Sequence, residues 1–274
     1  MPAAIKALFF DLDGTLLTSD KTIPPSAQEA LRRARERGVR VLLATGRSPR
    51  VDQMLGWTEE ECALFDGGVF SNGACTVLGG QTEYALIDPR AVRAMLEETA
   101  RHPQVHLSIS GAENAHWFNY TLPDAALSPW GLTREEVRPV DREAIHNAVK
   151  VLIFHDDLIN SVTPLPAGLY ERICARCGDT ARLYLTDQGR TIQAAGRDVS
   201  KRAGVERSRT ALGLAAEEIA VFGDDLNDLE MITAYPVSIA MGNAAPEVKA
   251  AAAHVTLTND EDGIARALSA LGVI

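Results

Sequence analysis

Long hydrophobic runs are missing from this chain. No apolar stretch reaches the length needed to span a bilayer, and the first residues carry one Lys with no apolar block and cleavage site. A cytoplasmic enzyme with no membrane partner is expected. Positive charge is in deficit: 27 Lys and Arg stand against 37 Asp and Glu, a formal net charge of -10. That balance argues against nucleic acid and anionic membrane as partners. Cysteine is scarce. Of the four, Cys62, Cys75, Cys174 and Cys177, the last two form a C-x-x-C pair, with no second pair and no His pair at ligand spacing. Reduced cysteines on a helix are expected rather than a zinc or redox centre. The patterns G-x-G-x-x-G and G-x-x-x-x-G-K-S/T are absent, which removes the usual dinucleotide and P-loop signals. There is no internal repeat and no low-complexity tail.

What remains is an ordinary globular composition, 46% hydrophobic and 23% charged, in 274 residues, enough for one large domain or two. The chain is organised around residues 7–16, ALFFDLDGTL. Four apolar residues ahead of a turn signal predict a buried strand. Alternation places Asp11 and Asp13 on one side of it, and Gly14 lets the chain turn at once. Two carboxylates at ~4 Å and an effective dielectric near 20 repel by about 4 kcal/mol, which a divalent cation would remove. Oxygen ligands suit magnesium.

Next, Ser26 and Glu29 form an S-x-x-E capping box ahead of a helical apolar period, with Gly38 as its stop. Residues 39–44 are a second buried strand ending in Thr45-Gly46-Arg47, and Pro49 opens a short helix. Strand, helix and strand with short links begin a doubly wound parallel sheet. Thr45 and the Gly46 N–H at that edge can hold a phosphate oxygen or simply make a turn. Asn72 in Ser71-Asn72-Gly73 is first a tight-turn residue and secondarily a ligand contact.

Between about Gly79 and Gly189 the pattern changes. Strands are expected at 84–87, 105–109, 117–120, 149–154 and 181–185, with helices at 89–101 and 167–177 and loops holding Pro123, Pro129 and Pro139. This is a separate α+β module, residues 80–189, inserted into a core of residues 1–79 and 190–274. His155, Asp156 and Asp157 are expected to be a solvated turn. Arg90, Trp117, Tyr120 and Trp130 are candidate ligand contacts by type, but core packing or surface placement is the simpler expectation. Hinges are expected near Gly79–Gly80 and Gly189.

The core pattern then returns. Ser200 is a predicted N-cap, and Lys201 follows in the first turn of a helix over 203–212. A cation there opposes the helix dipole unless an anion lies between them; an exposed surface Lys is the alternative. A strand over 218–222 runs into Gly223-Asp224-Asp225-Leu226-Asn227-Asp228. Acids this dense at a strand's carboxyl end fit cation ligation as well as helix capping. A strand over 237–241 and a helix over 264–271 complete the chain.

Together these motifs resemble the haloacid dehalogenase-like phosphatases. DLDGT at 11–15 is similar to the family's first motif, Thr45 in ATGR to the second, Lys201 to the third and GDDLND at 223–228 to the fourth. SNGA at 71–74, AMGNA at 240–244 and the EDG near the end resemble the Cof-like sugar-phosphatase branch, and the insertion resembles its type-two cap. Gln193 stands where relatives often carry an acid. The resemblance implies a Rossmann-like core with an inserted α+β cap domain. It implies Asp11 as nucleophile and Asp13 as acid and then base. Magnesium would be held by Asp11, the backbone carbonyl of Asp13, and Asp224. Thr45, Gly46, Lys201 and Asn227 would bind phosphate, with Asp225, Asp228, Arg47 and Asn72 in support. The implied substrate is a small phosphorylated metabolite. A phosphomutase of the same superfamily, or a non-catalytic sugar-phosphate-binding protein, is the alternative. Oligomeric state is not legible.

Overall fold

A computed structural model of the chain describes residues 4–155 and 163–274. Asp156 and Asp157, expected to form a solvated turn, lie outside the described residues. The chain divides into two compact units, Met1–Glu83 with Ser200–Ile274, and Tyr84–Val199.

The first unit opens with β1 (Ala7–Phe10), α1 (Pro25–Glu36), β2 (Arg40–Ala44), α2 (Val51–Leu55), α3 (Glu59–Cys62), β3 (Gly67–Phe70), β4 (Cys75–Leu78) and β5 (Gln81–Tyr84). The inserted unit follows with α4 (Pro89–Thr99), β6 (Val105–Gly111), β7 (His116–Phe118), α5 (Asp124–Trp130), β8 (Val137–Pro139), α6 (Arg142–His146), β9 (Ala148–His155), α7 (Leu169–Cys177), β10 (Ala181–Thr186) and β11 (Thr191–Gly196). The first unit resumes with α8 (Lys201–Ala211), β12 (Ile219–Gly223), α9 (Leu229–Ala234), β13 (Ser238–Ala240), α10 (Pro246–Ala251), β14 (His254–Val255) and α11 (Gly263–Ala270).

Among the described residues, the first unit's sheet runs in the order β14-β13-β12-β1-β2-β3-β4-β5. From β14 to β3 the neighbours are parallel, and β4 returns antiparallel to β3. All four residues of β1 are fully buried, as a central strand covered on both faces requires. Phe9, Leu42, Val69 and Val221 pack with Val205 of α8, Met231 and Ile232 of α9, and Val248 of α10. On the other side α1 packs against β2 and α11. This is the expected doubly wound, Rossmann-like core, with an antiparallel hairpin added at one edge.

The inserted unit has its own six-stranded sheet, β10-β11-β9-β6-β7-β8, mostly antiparallel. Its core joins Leu107, Ile109, Val151, Ile153 and Ile192 with Val92 and Met95 of α4 and Ile173 of α7. Trp117 is fully buried there, Tyr120 and Trp130 edge onto Phe118, and Arg90 is exposed and paired with Asp88.

Several expectations need correction. The units divide at Glu83/Tyr84 and Val199/Ser200, later than the expected 79/80 and 189/190. The physical reason is β11: its hydrogen bonds go to β9 and β10 of the inserted sheet. Gly79 and Gly80 lie between β4 and β5, and Gly189 lies between β10 and β11, so each is a turn within a unit rather than a hinge between them. The expected strand at 84–87 sits earlier, at Gln81–Tyr84, and Ile87 instead joins the inserted core. Pro129 and Pro139 belong to α5 and β8 rather than loops. There is no capping box at Ser26: Pro24 is the N-cap and Pro25 opens α1, because its fixed φ and missing N–H suit a first helical position. Ser26 instead donates to Asp262. Pro49 lies in the turn before α2, whose N-cap is Arg50.

Candidate active site

Three neighbouring parallel strands set the site. Phe10 pairs in register with Phe222 on one side and Leu43 on the other, and the Phe10 and Phe222 rings stack at 4.5 Å. The chains therefore leave the sheet together: Asp11 from β1, Thr45 just past β2, and Asp224 after β12. The Asp11 N–H still bonds the Phe222 carbonyl at 3.1 Å, and the Thr45 N–H bonds Val69 of β3. In parallel sheets this carboxyl edge is where ligands bind.

Lys201 lies at the centre. It is 1% exposed, and its Nζ donates to Asp11 Oδ1 at 2.5 Å and to Asp228 Oδ1 at 2.7 Å. Asp228 is fully buried, and its Oδ2 accepts from the Asp224 and Asp225 N–H groups at 3.0 and 3.1 Å. Ser200 caps α8 through the Ala203 N–H, so the helix delivers Lys201 into the carboxylates. The misfit of a cation at a helix N-terminus is resolved by two anions. Burial alone would lower the Lys201 ammonium, but Asp11 and Asp228 outweigh it and hold it charged.

Asp11, Asp224 and Asp228 each place a carboxylate oxygen within 4.8 Å of the others. Burial, with Asp228 as an added like charge, pushes the Asp11 carboxyl well above its ordinary range despite Lys201. Burial likewise lifts Asp224 to about 6, against the hydrogen bond from Thr15 Oγ1 at 2.7 Å. A hard cation would return both to the ionised form, and the donor set is all oxygen, as magnesium prefers. Asp228 already spends its oxygens on Lys201 and two N–H groups, so Asp11 and Asp224 offer the freer donors. Gly14 adjoins them at a left-handed φ of 80°, and a Cβ there would run into the Asp224 carboxylate.

Asp13 behaves differently. Strand pairing of β1 ends at Phe10, so the turn after it, not strand alternation, aims this side chain. Its carboxylate receives Arg47 Nε and Nη2 at 2.7 and 2.8 Å and Lys21 Nζ at 2.7 Å. Burial pulls the Asp13 carboxyl up, and these cationic hydrogen bonds outweigh it and hold it at about 2. Asp13 contributes no side-chain oxygen to the carboxylate group around Lys201.

The remaining residues form a rim. Thr45 Oγ1 accepts from the Arg47 N–H at 3.1 Å, and its carbonyl accepts from the Asn72 N–H at 3.0 Å. Asn72 sits at a left-handed φ of 55° and takes a hydrogen bond from Asn227 Nδ2 at 3.2 Å. Asn227 thus meets Asn72. Asp225 is exposed and caps the next turn through the Leu226 N–H, which places it with the capping reading.

Some contacts had no sequence signal beyond family likeness. Asn243 donates to the Gly14 carbonyl at 2.8 Å, Asn259 donates to the Leu17 carbonyl at 2.9 Å, and Asp260 takes both the N–H and the hydroxyl of Ser19. The AMGNA stretch and the two residues just before EDG therefore grip the loop that follows β1. Lys21 was also missed, because it lies in a polar loop without periodicity.

With this geometry in view, the class is plain. Residues 8–268 match the family model described as haloacid dehalogenase-like hydrolase, and the chain belongs to that family of enzymes. Among its relatives, a phosphatase of Bacillus subtilis, YwpJ, is 28% identical over 287 residues, covering 97% of this chain and 100% of that one. A 5-amino-6-(5-phospho-D-ribitylamino)uracil phosphatase of the same organism, YitU, is 28% identical over 265 residues, 94% of each chain. A solved subclass IIB sugar phosphatase of the superfamily superposes with a TM-score of 0.75 at 26% identity, covering 98% of this chain and 100% of that one.

Proposed function

We propose that this enzyme is a magnesium-dependent phosphatase of small phosphate monoesters, sugar phosphates or related metabolites, that acts in the cytoplasm through an aspartyl-phosphate. The observation that carries this reading is Lys201, buried between Asp11 and Asp228 beside Asp224 at the carboxyl edge of three parallel strands. The relatives' names support phosphate esters as the substrate class.

Asp11 attacks phosphorus with Oδ2, since Oδ1 is taken by Lys201. A carboxylate needs no base to activate it. The bond from phosphorus to the ester oxygen breaks, and Asp13 gives that oxygen a proton, which it first takes from solvent once the substrate's negative charge offsets Arg47 and Lys21. In the second step Asp13 takes a proton from water, which attacks the phosphorus and frees Asp11. One residue serves both steps because the second reverses the proton demand of the first. Lys201, the Thr45 hydroxyl, the Gly46 N–H and Asn227 hold the phosphate oxygens. Lys201 also offsets the repulsion between nucleophile and substrate. Asp11, Asp224 and the Asp13 backbone carbonyl are the magnesium ligands, and the ion supplies charge neutralisation when bound. Arg47, Asn72, Asp225 and Asp228 act in support.

The test is phosphate release from several dozen metabolite monoesters with magnesium present. Turnover that stops with a chelator, and falls roughly 10⁴-fold or more in Asp11→Asn, is expected. No release from any monoester, or an Asp11→Asn variant as active as the parent, would sink the reading.

A further inference from the structure

The loop after β1 is built to bring one more cation to Asp13. Thr18 and Thr22 close it with a hydrogen bond from the Thr18 N–H to the Thr22 carbonyl and another between their hydroxyls, each at 2.9 Å. The Lys21 N–H bonds the Thr18 carbonyl at 2.9 Å, and Lys21 itself takes a left-handed φ of 63°. That conformation is uncommon outside glycine, and backbone held this way persists where its surroundings over-determine it. Asp260 anchors the loop from outside through two hydrogen bonds to Ser19, at 2.8 and 2.6 Å. The product of this construction is Lys21 Nζ at 2.7 Å from Asp13 Oδ1, the oxygen that also accepts from Arg47 Nη2. An exposed lysine on an ordinary loop would range over many rotamers; here the backbone aims it at a single carboxylate.

We infer that Lys21 is a positioning residue for Asp13, fixing the carboxyl that serves the leaving oxygen in concert with the fork of Arg47. The inference rests on the reading of Asp13 as proton donor. Arg47 sets the plane of the carboxylate through two bonds, and Lys21 supplies the third contact, from the opposite loop, that holds it against rotation. An alkyl ester needs a proton on its departing oxygen, whereas p-nitrophenolate departs without one. Loosening Asp13 therefore penalises the first kind of substrate and spares the second, and because losing Lys21 also eases protonation of Asp13, a net loss reads placement over charge.

The experiment compares glucose 6-phosphate with p-nitrophenyl phosphate in the magnesium-loaded full chain. Lys21→Met is expected to lower kcat on glucose 6-phosphate about 10-fold through misplacement of the acid, with p-nitrophenyl phosphate within about twofold of the parent. KM should change little on either ester. Lys21→Arg should restore most of the loss, and the melting midpoint of both variants should match the parent. An equal loss on both esters marks a structural role and overturns the inference, as does no loss or a gain. Asp13→Asn is the control, expected to cost about 100-fold or more on the alkyl ester and far less on the nitrophenyl ester. A control that does not discriminate removes the reading of Asp13. A discriminating control with an indifferent Lys21→Met removes only the role of Lys21. A parent that turns over neither of these esters nor any other monoester of the screen removes both.

Discussion

At the scale of single residues, the site is a problem in charge compensation. Two buried carboxylates, Asp11 and Asp228, face one buried ammonium, and of the three only the Asp11 side chain keeps a little exposure, 8%. Lys201→Met keeps the side chain's bulk and removes the charge, which strands both acids. A loss of about 3–5 kcal/mol in unfolding free energy is expected, read from urea titration. An unchanged midpoint would show that the two ion pairs add nothing to stability. Asp11, Asp224 and Lys201 were legible in the sequence because each follows from a local rule: acids where an apolar run stops, and a lysine beside an N-cap. Lys21, Asn243 and Asn259 were not legible. Their partners, Asp13, Gly14 and Leu17, come to them through loop conformation or through a chain segment more than two hundred residues away.

At the scale of elements, the N-cap of α8 orients the central lysine. Ser200 Oγ accepts from the Ala203 N–H at 3.2 Å, and the residue is itself buried. Ser200→Ala should cost about 1 kcal/mol of stability, visible as a lower thermal midpoint. Turnover should fall further than that loss of stability explains, because Lys201 is the next residue. If turnover stayed at the parent's level, the cap would be structural only. The capping box expected at Ser26 fails for a reason of the same scale. S-x-x-E caps a helix only when Ser is the residue before it, and Pro24-Pro25 starts α1 two residues too early. The hairpin of β3 and β4 was half visible: Asn72-Gly73 announces the turn, and Gly73 at φ 100° is pressed so close to the Ser200 carbonyl that no Cβ fits. That contact joins the turn to the start of α8.

At the scale of the whole molecule, two units have separate sheets and cores. Residues 84–199 carry every strand of the second sheet, so this segment expressed alone should give a cooperative thermal transition and a dispersed amide spectrum. A non-cooperative melt would show that its core needs the rest of the chain. The cysteines give a second global readout. All four are free, and Cys75 and Cys177 are buried, which pushes their thiols up to about 12 and about 11. Burial also raises Cys62, to a smaller extent, and Cys174 is half-buried. At pH 8, Ellman's reagent should react with Cys62 and Cys174 well before the other two, and Cys62→Ser and Cys174→Ser should each remove one fast equivalent. The pH dependence has a definite sign. A thiol whose folded value is raised favours the folded state fully below its unfolded value near 9, and that contribution is lost as pH rises toward 11–12. Stability should therefore decline above about pH 9 and less steeply in Cys75→Ala.

What the sequence determined by itself was the parallel α/β core, the position of its acids and lysine at strand and helix ends, and the presence of an inserted α+β module. Each of these rests on hydrophobic period and on turn or cap residues, which act over a few positions along the chain. Tertiary structure alone decided where the units divide, that Asp13 turns to Arg47 and Lys21, and that the segment around Asn243 and Asp260 grips the first loop. Those outcomes depend on which strand edge finds a partner and which loop returns beside it, and no local pattern encodes an encounter between distant segments.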